Sequence, residues 1–131
     1  TCGRLAALRI SDAALAELDA ANDRCQAALD AENPDEYYLE NERFHHLIYE
    51  SSGNGFLEQE ARRLHRRLKP YRRVQLHLRG RMKQSMAEHR DIVAALTEGN
   101  ADRAAAALRG HVAIQGEKFH HLMANLKAVA K

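Results

Sequence analysis

Met82-Lys83-Gln84-Ser85-Met86-Ala87-Glu88-His89-Arg90-Asp91-Ile92-Val93-Ala94-Ala95-Leu96 is the stretch that decides the fold. Met82, Met86, His89, Val93 and Leu96 recur every three or four residues, the period of one helix face. Gly80 precedes the run and Gly99-Asn100 closes it as a C-cap turn. The same pattern continues outward in both directions. Upstream, Leu15, Leu18, Cys25 and Leu29 predict a helix over 12–31, entered at Ser11 as N-cap with Asp12 in the first turn. Asn33-Pro34 breaks it, and Asp35 is expected to cap a helix over 35–51. One face of that helix carries Tyr38, Asn41, His45 and Ile48, flanked by Phe44 and Leu47. After the turn cluster Ser52-Gly53-Asn54-Gly55, a long helix is expected over 55–78 on the stripe Leu57, Ala61, Leu64, Leu68, Tyr71, Gln75 and Leu78. Pro70 should kink it, because proline has no N–H to donate. The last helix reads from 102 to 127, with Leu108, His111, Val112, Gln115, Phe119, Leu122 and Leu126 inward. Residues 4–9 look like the end of a truncated helix whose start lies upstream of Thr1. Short connections between long helices favour antiparallel neighbours. The expected fold is all-α, an antiparallel six-helix bundle.

Composition agrees. Ala and Leu dominate a chain that is 45% hydrophobic, with two Pro and no Trp, and such residues lose least on becoming helical. A length of 131 residues predicts one domain. The net charge of +2, from 20 basic and 18 acidic residues, describes neither a basic nor an acidic tail. Cys2 and Cys25 have no metal-type spacing and read as reduced thiols of a cytoplasmic protein. No apolar run approaches the ~20 residues that span a bilayer, and no signal peptide is visible. Ser51, Ser52 and Cys25 lack a nucleophile's neighbours, there is no Gly-rich phosphate loop, and no acid–base dyad stands out. Nine Lys or Arg fall within 62–81; with few aromatics among them, they read as a solvated face rather than a nucleic-acid surface.

The inward stripes carry three histidines where apolar side chains are expected. Asn41 and His45, four apart, stack on one helix face; His89 and His111 lie on the inward stripes of two further helices. Burying an unpartnered imidazole costs about 1–3 kcal/mol. A divalent metal would relieve all three together, with an Asn oxygen or water completing the site. On pattern alone, metal ligation and hydrogen-bonded core histidines both remain open. Glu42 and Glu88 are placed to accept an imidazole N–H. Arg67 flanks the inward stripe of the long helix and Tyr71 and Gln75 lie on it, so these three are the candidate contacts for an anion held at the metal, with Arg72 a weaker one. His46, His65, His77, His120 and His121 fall off the common inward set and read as surface or interface residues. Neighbouring pairs such as His45-His46 point about 100° apart and cannot easily chelate one ion.

The ordered set Asn41-Glu42-Arg43-Phe44-His45, Ser52-Gly53-Asn54 with Leu57, Glu88-His89 with Ile92, Ala95-Leu96 and Gly99-Asn100, then Arg109-Gly110-His111, resembles the FadR-type C-terminal domain (FCD) of GntR-family bacterial transcription regulators. The resemblance spans nearly the whole chain. It implies a bundle around a central cavity, a metal on Asn41, His45, His89 and His111, and a small organic acid bound to metal and cavity. Many members of that family carry Asp where this chain has Asn41, a neutral and poorer ligand for a hard cation. Zinc is the default metal, with nickel or another transition metal as alternatives. The resemblance further implies a homodimer that meets DNA only through an N-terminal winged helix-turn-helix domain, which residues 1–131 lack. The reading is of a sensor rather than an enzyme. A bundle metalloenzyme using metal-bound water, or a purely structural bundle, are the alternatives.

Overall fold

The computed structural model describes residues 1–111. Within them it is all-helical: α1 (Cys2–Arg9), α2 (Asp12–Asp30), α3 (Pro34–Ser51), α4 (Gly55–Arg67), α5 (Lys69–Gln75), α6 (Arg81–Glu98) and α7 (residues 101–111). Val112, Gln115, Phe119, His120, His121, Leu122 and Leu126 lie outside the described residues.

Side-chain oxygens start four of these helices by accepting otherwise unpaired first-turn N–H groups. Ser11 Oγ accepts from Ala14 N–H at 3.1 Å, Asn33 Oδ1 from Glu36 at 3.2 Å, Asn54 Oδ1 from Leu57 at 3.1 Å and Asn100 Oδ1 from Arg103 at 3.0 Å. The cap of α3 is therefore Asn33, with Pro34 and Asp35 inside the first turn. Asp35 is not the cap that the sequence suggested. A proline in the first turn gives up an N–H that has no helical partner there. Gly80 (φ 77°) and Gly99 (φ 69°) flank α6 in the left-handed region.

The expected long helix is two. α4 ends at Arg67, Leu68 forms a turn, and α5 restarts at Lys69 with Pro70 in its first turn. The proline is tolerated by a fresh start rather than a kink within one helix. α5 stops at Gln75, short of the expected end at 78. The stripe read across this break is also displaced. Leu64, Leu68 and Tyr71 are 52%, 48% and 44% exposed, while His65 and Gln75 are buried.

Packing fixes the direction of the helices. The beginning of α2 (Leu15, Leu18, Ala21) meets the end of α3 (Phe44, Leu47, Ile48) and the end of α6 (Ile92, Val93, Leu96). The end of α2 (Cys25, Ala28) meets the beginning of α3 (Tyr37, Tyr38) and of α6 (Met82, Met86). α2 thus runs antiparallel to both. Arg24–Glu40 at 2.7 Å and Arg90–Gln26 at 2.8 Å tie the same pairs from outside. Between the two apolar clusters, α3 and α6 meet across the interior through side chains, with Phe44 stacked on His89, ring centroids 4.1 Å apart. The polar residues of the bundle collect at that level.

Candidate metal centre

Three imidazoles converge there. His45 comes from the middle of α3, His89 from the middle of α6 and His111 from α7. Each is buried, and one ring nitrogen from each lies within 4.8 Å of the others. His45 Nε2 and His111 Nε2 stand 3.2 Å apart. Two nitrogens bound to one zinc at 2.0–2.1 Å with tetrahedral or octahedral angles would stand about 2.9–3.4 Å apart, so this pair already has a ligand-pair spacing.

The donor set fits a cation. His111 Nδ1–H donates to Glu88 Oε1 at 2.6 Å, which leaves its Nε2 as a bare lone pair. Glu88 is in turn held by Arg81 Nη1 at 3.1 Å. That chain resembles the carboxylate–histidine support common behind metal ligands. A hydrogen bond between His45 and His111 would serve those two rings alone. Among the described residues neither ring nitrogen of His89 has a partner, nor does Asn41 Oδ1, one helical turn before His45. Leaving such atoms buried and unpaired costs on the order of 1–3 kcal/mol each.

Electrostatics keep the rings in the binding form. Burial, with Arg72 and the neighbouring imidazoles adding to it, holds His45 well below the ordinary imidazole range. Burial, then His111, Arg81 and Arg72, does the same to His89. Burial also lowers His111, although Glu88 pulls it partly back. Burial raises Glu88, but the hydrogen bond from His111 and the charge of Arg81 outweigh it, and Glu88 stays ionised. Neutral imidazole is the state that offers a lone pair to a metal.

The sign of the pH dependence follows. The unfolded chain takes up protons near the ordinary value of 6.5, while the folded core refuses them until a lower pH. The stability these histidines contribute is complete above pH 6.5 and is lost as pH falls below it, by about 1.4 kcal/mol per pH unit for each such group. Urea melts of metal-free protein should therefore show falling stability from about pH 6.5 to 5. Constant stability across that window would contradict the buried neutral triad. Glu88→Gln should weaken metal binding about 10- to 100-fold, as read by competition with a chromogenic chelator on the folded fraction.

The FCD domain profile matches residues 1–114. The chain belongs to the FCD family. FCD domains are the FadR-type C-terminal, effector-binding regulatory domains of GntR-family regulators. No curated protein matches the chain.

Within this FCD domain, the structure brings His45, His89 and His111 to one place, and Asn41, one helical turn before His45, is buried. The three residues of the long helix are distributed differently. Gln75 is buried, Tyr71 is half exposed, and Arg67 is exposed on the outer side of α4. Sequence reasoning missed three inward residues. His65, read as a surface residue, is buried with its ring 5.7 Å from that of His45. Arg72, ranked below Arg67, places Nη1 2.5 Å from His65 Nδ1. Arg81, read as part of a solvated basic face, is 1% exposed. Its signal was present in α6: Arg81, Ser85, Glu88 and Ile92 share one helix face. His45 also lines a cleft of about 580 Å³ whose walls include Tyr49, Leu57, Ala61, Leu108 and Arg109. No helix of the described residues is long and apolar enough to cross a membrane.

Proposed function

We propose that this FCD domain senses a small organic acid through a divalent metal held by Asn41, His45, His89 and His111. The observation that carries the reading is His89, fully buried with both ring nitrogens unpartnered among the described residues, beside two other neutral imidazoles. Zinc suits an imidazole-rich set, and nickel is the closest alternative. Three neutral imidazoles and an amide leave the full charge of the ion uncompensated by its ligands, which favours an anionic effector. The cleft beside His45 gives a carboxylate a route to the site.

In the intact regulator, the bound acid shifts a homodimer between arrangements that present the N-terminal winged helix-turn-helix domains differently to DNA. Such a shift requires the acid to bind one arrangement more tightly. A metalloenzyme reading is less favoured, because the one carboxylate bonded to the triad among the described residues, Glu88, is engaged by both Arg81 and His111. It is not free to act as a general base.

The test is a thermal-shift screen of small carboxylates on zinc-loaded protein, repeated after chelation. At least one acid should raise the melting temperature with zinc present and lose that effect without it. Acids that stabilise equally with and without metal would overturn the metal-dependent mechanism.

A further inference from the structure

Arg72 is an unusual side chain to find beside a cation site. Burial lowers its pKa, opposed by Tyr49, Tyr38 and Glu42. Nη1 is committed to His65 Nδ1, and Tyr49 hydroxyl lies 3.4 Å from the same nitrogen. A guanidinium only donates, so His65 Nδ1 is the acceptor, which places the imidazole proton on Nε2. His65 Nε2 is 3.6 Å from Glu42 Oε1, a carboxylate that also accepts from Tyr38 hydroxyl at 2.7 Å. Burial, then Arg72 itself, pushes His65 down to about 3, which keeps it neutral. His65 Nε2 itself has no hydrogen-bond partner among the described residues, so His65 Nδ1 alone holds the guanidinium from this side.

The other side is unpaired. Arg72 Nε and Nη2 are buried and have no hydrogen-bond partner among the described residues. These two N–H groups lie along one edge of the planar guanidinium, the edge that pairs with both oxygens of a carboxylate. His65 neighbours both Arg72 and His45, which links the guanidinium to the triad through one ring.

We propose that the Nε–Nη2 edge of Arg72 is the carboxylate receptor of this domain, and that it selects a planar carboxylate over neutral ligands of the same size. The inference rests on the metal-centre reading and adds the second anchor. It replaces Arg67, which is exposed, and gives His65 a positioning role.

Acetate, the smallest carboxylate with a carbon substituent, serves as the probe. The 131-residue chain loaded with zinc would be titrated calorimetrically with acetate, in the native sequence and as Arg72→Lys and Arg72→Gln. Lysine keeps a cation beside His65 and Tyr49 but removes the two-pronged edge, so it guards against a variant that merely fails to fold. The expected result is unchanged zinc content in all three proteins, with acetate affinity reduced on the order of 10- to 100-fold in both variants. Acetamide should bind equally weakly to all three. Zinc retained and acetate affinity unchanged in both variants would overturn the role of Arg72 alone. Absence of zinc from the native protein would overturn the metal centre and this inference together.

Discussion

His89→Leu should reduce zinc affinity by at least about a hundredfold while raising the stability of the metal-free domain. The first effect follows from ligand number. Apparent binding free energies of ~10–16 kcal/mol for structural zinc, shared among four ligands, assign roughly 3 kcal/mol to each. The second follows from burial. His89 stacks on Phe44 and Tyr37 with both ring nitrogens unpaired. An apolar side chain of similar bulk removes that desolvation penalty, on the order of 1–3 kcal/mol. A chelator competition and a denaturant melt on one sample read both quantities. Opposite signs are the mark of a ligand held ready at some cost to the empty fold. A loss of stability without metal would mean that His89 is a well-satisfied core residue.

Arg81→Ala should destabilise the domain by about 3–5 kcal/mol, the usual consequence of removing one partner from a buried ion pair. Arg81 is fully buried; it bonds Glu88 Oε1 at 3.1 Å and Gln84 Oε1 at 3.3 Å. Without it, Glu88 keeps His111 as its one donor among the described residues. The paired change Arg81→Met with Glu88→Leu removes both charges and should recover much of the stability. It should not recover metal affinity, because His111 then has no acceptor to fix its tautomer. Denaturant melts of the single and double variants test the first claim, and zinc competition tests the second. Equal losses of stability in both variants would show that Arg81 contributes packing rather than charge.

The helices and the triad were legible because each rests on a period. Asn41 and His45 are one turn apart, and His89 and His111 each interrupt an apolar stripe, so three rings on inward faces had to meet. The order of the FCD-like motifs named the same four residues independently. Arg72, Arg81 and His65 were not legible by that rule, because charged and polar side chains default to the surface. Their burial depends on partners from elsewhere in the fold: Glu42 and Tyr49 on α3 for His65 and Arg72, and Glu88 for Arg81. The break at Leu68 compounded the error. A stripe extended through Pro70 as one continuous helix put Leu64, Leu68 and Tyr71 inside, whereas the inner face beyond the break carries Arg72 and Gln75. Asn33 lost the cap of α3 to Asp35 in the sequence reading because the Asn-Pro pair looked only like a stop, when it was also a start.

Extended X-ray absorption at the zinc edge, on stoichiometrically loaded protein, examines the ligand set directly. The account predicts one zinc per chain with about three imidazole nitrogens at 2.0–2.1 Å and a further oxygen shell. Sulfur scattering near 2.3 Å, fewer than three imidazoles, or failure to retain zinc would contradict it.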